Sequence, residues 1–391
     1  MNANNLSIIF KISEGCPLAC DYCYYFRNVV NPHKSRPIKM EEDVTQKLCE
    51  RIMELNEKDK DIACTFFFHG GEPLFIGKDK FLKICDMIAD TLKVPYSFLV
   101  QTNGALIDKE WIEIFKKYNI VVGISIDGPE EYQNVHRKLK NGEGSFDIVD
   151  KNIRMCVTEK LNLGVLIVAD PSFDPQKIWN YLVGDVGVKY MDILLRDYTY
   201  DTIPSREYVD AVSDYLAKWI GIWFAKDNEA VRVRIFDSIV NVLLGRTSLL
   251  EFSFDKDDNN YPTITVFTNG DVSPMDDLTS VSGNLMDIDK NIFKNSLEDI
   301  FDTKVFKELS EARQNIPKDC TECCWRYVCR GGGCICGRFS SQNRFSNKSV
   351  YCKAWSSLFS VAALRLLKHG HPKEKLLKVL AGENECACLN V

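Results

Sequence analysis

Long apolar runs are missing from this 391-residue sequence. None approaches the roughly 18 residues that a membrane-spanning helix needs, and residues 1–5 lack a basic stretch followed by an apolar one. Basic residues are not in excess either, because 49 Lys and Arg stand against 55 Asp and Glu, a net charge of −6. This balance excludes a broad nucleic-acid-binding face. The sequence therefore predicts a cytoplasmic protein with neither a membrane nor a nucleic acid as partner.

Cysteine is too sparse for a disulfide scaffold, since 16 cysteines in 391 residues fall well below the roughly 8–10% of short secreted chains. Their placement is uneven. Three lie between residues 16 and 23, seven between 320 and 352, and two at 386 and 388. The other four are isolated in apolar or helical contexts, where a cysteine behaves as a small buried hydrophobe: Cys49, Cys64, Cys85 and Cys156.

The first half of the chain alternates β-rich runs with amphipathic ones that have apolar residues at i, i+3 and i+4. Strands are predicted over residues 7–12, 64–68, 97–101, 121–126, 163–168 and 191–195. Helices are predicted over residues 41–55, 80–92, 109–118, 146–158 and 175–183. This alternation indicates parallel strands joined by right-handed crossovers. It fits a doubly wound sheet and a partial barrel equally well.

The character of the sequence changes in the second half. A helical stretch over residues 206–244 leads to a polar run at 255–260, which reads as a boundary. A hairpin with an Asn-Gly turn follows at 264–274, then the clustered cysteines and a helix over 354–368. We therefore divide the chain into a barrel at 1–205, a helical linker at 206–258 and a cysteine-rich domain at 259–391.

Cys16, Cys20 and Cys23 form a CxxxCxxC pattern directly after the first predicted strand. Three thiolates can hold three corners of a [4Fe–4S] cluster and leave its fourth iron open to an outside ligand. A zinc site completed by a distant residue such as His33 is the alternative. The position after a first parallel strand, where α/β folds place their active sites, favours the cluster.

Three further segments follow successive strands, and with the triad they resemble the radical S-adenosylmethionine (SAM) enzymes. They are Gly70-Gly71-Glu72-Pro73, Gln101-Thr102-Asn103-Gly104 and Ser125-Ile126-Asp127-Gly128. The resemblance implies an α/β fold with a partial (β/α)6 barrel and a cofactor site lined by these segments. It also implies that Glu72 and its neighbours receive the methionine amino group, that Ser125 and Asp127 meet the ribose, and that Tyr22 shields the cluster or the adenine. The glycines are expected to allow close approach of the backbone to the ligand.

The C-terminal cysteines resemble the SPASM extension of radical SAM enzymes, a small α+β iron–sulfur domain with auxiliary clusters. The resemblance implies that Cys320, Cys323, Cys329 and Cys352 hold one auxiliary [4Fe–4S] cluster, with zinc as the alternative. The resemblance also implies that Cys334 is a further metal ligand.

This chain departs from the extension at two positions, because Met275 and Ile288 stand where cysteines are expected. A second auxiliary cluster is therefore predicted to be absent. The alternative is an irregular cluster held by Cys334, Cys336, Cys386 and Cys388.

Asp276 follows Met275 at a position that in some relatives is a base near the radical site. A surface-turn aspartate is the alternative, because carboxylates usually remain solvated.

Segments around His136-Arg137, 142–146 and 345–352 are similar to those of maturases that crosslink an aromatic ring to a β-carbon. The resemblance therefore predicts a ribosomally made precursor peptide as substrate and a C–C cyclophane as product. In this scheme a 5′-deoxyadenosyl radical abstracts hydrogen, and Asp276 and the auxiliary cluster take up the remaining proton and electron. An external flavodoxin or ferredoxin is the predicted electron donor.

Formylglycine and thioether formation stay open as alternatives, and the missing ligands at Met275 and Ile288 count against the formylglycine type. A non-catalytic iron–sulfur or zinc protein that binds peptide or passes electrons is the alternative from another class.

Overall fold

The computed structural model describes residues 4–27, 36–226, 230–248, 250, 261–281 and 285–383. His33, Cys386 and Cys388 lie outside the described residues. The strands are β1 (Asn4–Ser13), β2 (Ile62–Gly70), β3 (Tyr96–Thr102), β4 (Val121–Ser125), β5 (Leu163–Val168), β6 (Tyr190–Leu194), β7 (Arg232–Val233), β8 (Ile264–Val266), β9 (Asp271–Ser273) and β10 (Lys290–Asn291).

The first six strands lie within three residues of their predicted bounds. Helices occupy α1 (Tyr24–Arg27), α2 (Glu42–Lys58), α3 (Lys78–Thr91), α4 (Lys109–Lys117), α5 (Glu130–His136), α6 (Phe146–Thr158), α7 (Pro175–Trp179), α8 (Arg206–Lys226), α9 (Arg234–Leu243), α10 (Leu297–Phe301), α11 (Lys304–Gln314), α12 (Arg326–Cys329), α13 (Cys352–Lys368) and α14 (Lys373–Ala381). The predicted helix over 175–183 instead ends at Trp179, where a π-helical stretch, Asn180–Val186, takes over.

The chain folds into two compact units that do not follow its linear order. The first consists of Met1–Leu166, Val186–Val188 and Asn259–Glu308, and the second of the remaining segments. The boundaries predicted at 205/206 and 258/259 stay predictions. Among the described residues, no helix combines the length and the apolarity needed to cross a bilayer.

In the first unit, β1 to β5 lie side by side in chain order, and all are parallel. This confirms the predicted α/β fold with a parallel sheet. Alternate residues of β2 are buried, as expected for a strand whose one face packs against the crossover helices. The four isolated cysteines are at most 1% exposed, which confirms that they pack as core residues.

The predicted hairpin is present, but it joins the sheet of the first unit. β8 pairs in parallel with β1, with Ile8 opposite Ile264, and β9 and β10 continue the sheet in antiparallel. Gly270 turns the hairpin with a φ of +81°, a backbone conformation that favours glycine. This pairing brings the segment after β9 to the end of β1, although more than 250 residues separate them in sequence.

The second unit is built around α13, which packs against α8 and α9. The residues that α13 buries are Ala354, Trp355, Leu358, Phe359, Ala362 and Ala363. α14 packs against α9 and α12. The cysteine-rich segment from 320 to 352 leads into α13, and its Trp325 ring stacks on Phe359 of that helix.

Candidate active site

The cysteine triad lies in the loop that follows β1. Cys16 is buried, whereas Cys20 and Cys23 are partly exposed, and the Asn103 amide lies 3.5 Å from the Cys16 sulfur. Burial, helped by the charges of Glu72 and of the neighbouring cysteines, raises the pKa of Cys16 to about 12. Burial and the charge of Cys23 raise the pKa of Cys20 to about 11, although Arg137 opposes this shift. These thiols therefore need a metal cation to become thiolates, and three such donors in one loop fit an iron–sulfur cluster.

Neither zinc alternative is supported by the spacing of the sulfur atoms. A tetrahedral zinc ion places its sulfur ligands about 3.8 Å apart, given Zn–S bonds of about 2.3 Å. Among the described residues, neither the N-terminal triad nor the set Cys320, Cys323, Cys329 and Cys352 contains three sulfurs within 4.8 Å of one another. In an iron–sulfur cluster the thiolates bind different iron atoms, so their sulfurs need not lie within reach of one ion.

The glycines of the Gly70–Pro73 segment allow two backbone stretches to pack together. Gly71 donates its N–H to the Ser13 carbonyl at 2.9 Å, and Glu72 donates to the Gly15 carbonyl at 2.7 Å. A Cβ atom on Gly70 would lie 2.0 Å from the Ser13 oxygen, and one on Gly71 would lie 2.7 Å from the Gly15 oxygen. The structure thus gives the glycines a role that the sequence did not predict, which is to fix the start of the cysteine loop.

Glu72 is 1% exposed, and its carboxylate accepts three hydrogen bonds. The donors are Thr102 Oγ1 at 2.6 Å, Asn103 N at 2.8 Å and Leu74 N at 3.1 Å. Burial raises the pKa of Glu72 to about 7, although these bonds oppose the shift. Since a carboxylate has about four acceptor positions, one remains for an ammonium group, whose charge would favour the ionised form. Pro73 opens the short helical turn Pro73–Ile76 that follows.

Gln101 and Ser125 link the ends of β3 and β4. The Gln101 side-chain amide donates to Ser125 Oγ at 2.9 Å. The Gln101 side chain lies over Gly123, where a Cβ atom would be 2.2 Å from Gln101 Oε1. The structure therefore brings these two predicted residues together, whereas their contact with a cofactor stays a prediction.

Asp127 forms a buried brace with two partners. Its carboxylate, which is fully buried, accepts hydrogen bonds from the Tyr22 hydroxyl and from Arg137 Nε, the latter at 2.9 Å. Burial opposes the charge of Arg137, but Asp127 raises the pKa of Arg137 above its ordinary value. Asp127 thus anchors the cysteine loop through Tyr22, and a direct contact between Asp127 and a ribose stays a prediction.

We expect Arg137→Met to destabilise the protein by about 3–5 kcal/mol, because it leaves the Asp127 carboxylate buried without its cation. Urea unfolding of the full chain measures this loss. Arg154→Met is the matched control, since Arg154 pairs with Asp150 at 3.0 Å on the partly exposed face of α6. The control should lose no more than about 0.5 kcal/mol. Equal losses in the two variants would show that Asp127 needs no buried cation.

Asp276 belongs to a second buried cluster, which lies at the end of β1 and β2. Lys11 is fully buried, and its ammonium forms an ion pair with Asp276. The Lys11 nitrogen also lies 3.2 Å from His69 Nδ1 and 3.3 Å from the Tyr24 hydroxyl, and Tyr24 donates to Asp276 at 2.5 Å. The Asp276 side chain is only 13% exposed, so the surface-turn alternative is wrong.

The charges in this cluster follow from its contacts. Burial works to raise the pKa of Asp276, but Lys11, His69 and Tyr24 together lower it to about 2. Burial, reinforced by Lys11, lowers the pKa of His69 to about 4. At neutral pH the cluster therefore holds an anionic Asp276 beside a neutral His69.

In the second unit, the four predicted auxiliary ligands line one pocket together with Trp325 and Lys348. Burial, together with charge on the other cysteines of the set, raises the pKa of Cys329 to about 12 and that of Cys320 to about 11. As in the first unit, buried thiols within electrostatic range of one another fit a cluster better than free cysteines. Cys334 does not line this pocket and lies instead beside Cys336 and Asp197.

The segments that suggested crosslinking have structural roles. His136 Nδ1 lies 2.9 Å from the Asp21 carboxylate, and Ser145 Oγ donates to the Arg137 carbonyl at 2.6 Å. A Cβ atom on Gly144 would lie 2.3 Å from the Asn134 side chain. These residues therefore support the Asp127 brace, and they do not discriminate between peptide modifications.

Lys11 and Arg137 were not predicted as site residues. The sequence did contain a signal for Lys11, because it lies in a strand that is covered on both faces. A buried ammonium needs a counter-ion, so an acidic partner could have been expected. No comparable signal pointed to Arg137, whose partner is fixed by tertiary structure.

Comparison with known proteins agrees with this geometry. Residues 10–182 match the model of the Radical SAM superfamily. The cysteine-type anaerobic sulfatase-maturating enzyme of Clostridium novyi is 27% identical over 376 residues, which are 91% of this chain and 94% of that enzyme. The serine-type enzyme of Klebsiella aerogenes is 25% identical over 236 residues, covering 59% of this chain and 56% of that enzyme.

One solved structure is similar to this chain over nearly the whole length of both chains. It is native anSMEcpe with bound AdoMet and Cp18Cys peptide, which has a TM-score of 0.79 and 26% identity and covers 93% of this chain and 98% of that chain. The parallel sheet, the cysteine loop after β1 and the superfamily match over residues 10–182 all agree, and the cysteine-rich C-terminal region is consistent with a SPASM-type extension. Residues 10–182 therefore form a radical SAM domain.

Proposed function

We propose that this enzyme oxidises the β-carbon of a cysteine or serine side chain in a peptide or protein, as a maturase of the formylglycine-forming type. The observation that carries the proposal is the similarity to the cysteine-type sulfatase-maturating enzyme along 91% of the chain. The Asp276 carboxylate, which Lys11 and Tyr24 hold in its ionised form within a radical SAM domain, supports it. The peptide in the related solved structure supports a peptide substrate.

The cyclophane crosslink predicted from the sequence gains no support from these comparisons. The two relatives named above are sulfatase-maturating enzymes, and two of the three segments that suggested a crosslink, around His136-Arg137 and 142–146, make structural contacts in the first unit. Formylglycine formation, which ranked second on sequence alone, is therefore the better hypothesis. Met275 and Ile288 stay departures from the extension pattern and do not by themselves select a product.

Cys16, Cys20 and Cys23 would hold a [4Fe–4S] cluster, and Glu72 would receive the amino group of SAM at its remaining acceptor position. Gln101, Asn103, Ser125 and Asp127 would line the rest of that site, with Tyr22 beside the cluster. When bound, the cluster and SAM supply a 5′-deoxyadenosyl radical, which removes one hydrogen atom from the substrate. Cys320, Cys323, Cys329 and Cys352 would hold an auxiliary cluster, which would supply an electron acceptor.

Asp276 has the task of accepting the second hydrogen of the substrate as a proton. A substrate cysteine that has lost a β-hydrogen must also lose its thiol proton and one electron to become a thioaldehyde. Water then converts the thioaldehyde into an aldehyde and releases hydrogen sulfide. A carboxylate with a pKa of about 2 is a weak base, so proton transfer depends on the loss of the electron, which makes the thiol strongly acidic.

A peptide assay separates the candidate products. The reconstituted full chain is incubated anaerobically with SAM, a reductant and a sulfatase-derived peptide that contains one cysteine. Mass spectrometry should show that the peptide exchanges sulfur for oxygen and loses two hydrogens, and 5′-deoxyadenosine should form in step. A product that loses two hydrogens, keeps its sulfur after prolonged hydrolysis and shows linked side chains on fragmentation would indicate a crosslink and contradict the proposal. A peptide with alanine in place of cysteine is the control and should stay unmodified. Flavodoxin or ferredoxin, the predicted donor, can replace the chemical reductant.

A further inference from the structure

The second unit holds a compact group of potential metal ligands that the proposed chemistry does not use. The ligand atoms of Asp197, Cys334 and Cys336 all lie within 4.8 Å of one another. The two sulfurs are 2.7 Å apart, and Cys336 Sγ lies 3.8 Å from Asp197 Oδ1. Cys336 is buried, and the other two residues are partly exposed. We infer that these three residues form a binding site for a single zinc ion.

The backbone on both sides of this group is fixed by hydrogen bonds. Tyr200 N donates to the Phe339 carbonyl at 3.0 Å, and the Tyr351 hydroxyl donates to the Arg196 carbonyl at 2.9 Å. The Asp201 carboxylate accepts a bond from Ser341 N at 2.9 Å. The segment that carries Asp197 is therefore tied to the segment that carries Cys336, independently of any bond between the ligands themselves.

The donor set selects the kind of metal. Two thiolates and a carboxylate suit a borderline-soft divalent ion such as zinc, whereas magnesium and calcium prefer oxygen ligands alone. A zinc ion would hold the two sulfurs about 3.8 Å apart, so the side chains must separate by about 1 Å from their present positions. Three protein ligands leave the fourth tetrahedral position for water or for a donor atom of another molecule.

The spacing also argues against an iron–sulfur cluster at this position. The four thiolates of a [4Fe–4S] cluster bind four different irons, whereas Cys334 and Cys336 place their sulfurs close enough to share one ion. This differs from the irregular cluster considered from sequence, in which Cys386 and Cys388 complete the set. The inferred site requires neither of those two cysteines, and it does not depend on the proposed peptide chemistry.

Zinc content and zinc-edge X-ray absorption of the holoenzyme test the inference. The full chain is prepared anaerobically with zinc in the medium and washed with a weak chelator. We expect about one zinc per chain, with two sulfur neighbours at about 2.3 Å and oxygen at about 2.0–2.2 Å. Iron does not interfere, because the absorption edge is specific to zinc.

Variants identify the ligands. Cys334→Ser, Cys336→Ser and Asp197→Asn should each lower the bound zinc about tenfold or more, since loss of an outer-shell partner alone costs about 10–100-fold in metal affinity. Iron content should stay unchanged. Cys324→Ser, which removes an exposed thiol of the same segment, is the matched control and should keep its zinc. Absence of zinc, zinc retained in the three variants, loss of iron together with zinc, or a Cys334–Cys336 disulfide in the anaerobic protein would each overturn the inference.

Discussion

Replacing Cys16, Cys20 and Cys23 together by alanine is expected to abolish 5′-deoxyadenosine formation. The three thiols are the donors of the loop after β1, and burial keeps at least Cys16 and Cys20 protonated unless a metal binds. The triple variant should therefore lose the iron of one [4Fe–4S] cluster and keep the iron of the second unit. Anaerobic reconstitution, iron analysis and chromatography of the SAM products measure both effects.

Two matched variants make this result specific. Replacement by alanine of the four predicted auxiliary ligands, Cys320, Cys323, Cys329 and Cys352, should remove the auxiliary iron. SAM cleavage should stay unchanged, and less modified peptide should form. Cys324→Ala should change neither, because the Cys324 side chain is exposed and does not line the auxiliary pocket. Formation of 5′-deoxyadenosine by the N-terminal triple variant would refute the assignment of the radical-generating site.

Asp276→Asn should lower the rate of peptide modification by about 10²–10⁴-fold, the range expected for loss of a general base. SAM cleavage should persist, because under the proposed function Asp276 would act on the substrate after hydrogen abstraction. The measurement compares 5′-deoxyadenosine with modified peptide in the same reaction, and the ratio should rise strongly in the variant. An unchanged ratio would mean that Asp276 is a structural partner of Lys11 and has no part in proton transfer.

The pH dependence follows from the low pKa of Asp276. Because that pKa is about 2, Asp276 should remain ionised and impose no acidic limb on the rate above about pH 4. Lys11→Met removes the cation that lowers this pKa and leaves burial to raise it. In this variant the rate of peptide modification should therefore fall as the pH is lowered, and this fall should begin closer to neutral pH than in the unchanged protein. Lys47→Met is the control, since Lys47 forms a partly exposed ion pair with Glu50, and its pH profile should match that of the unchanged protein.

Much of the fold could be predicted because local sequence fixes it. The helix predicted over residues 146–158 is present with the same bounds, and β5 has its predicted bounds as well. The apolar spacing of these segments matches the helix and strand periods, so no distant contact is needed to define them. The superfamily resemblance then decided between a doubly wound sheet and a barrel, which periodicity alone left open.

Contacts between residues that are far apart in the chain could not be predicted from the sequence. Asp276 was identified by resemblance, but its partner Lys11 lies 265 positions earlier, and only the β8–β1 pairing brings them together. The contact between Asp197 and Cys336 likewise joins residues 139 positions apart. Turn and helix patterns carry no information about such partners, because tertiary packing sets them.

The parallel pairing of β8 with β1 also constrains the order of folding. During synthesis, β1 leaves the ribosome long before β8, so this side of β1 stays open until most of the chain has been made. Lys11 keeps its hydration until Asp276 arrives, because a buried ammonium without a counter-ion is strongly unfavourable. Closing so large a loop is slow and entropically costly. The edge of the sheet that carries the cysteine loop can therefore form before Asp276 is in place.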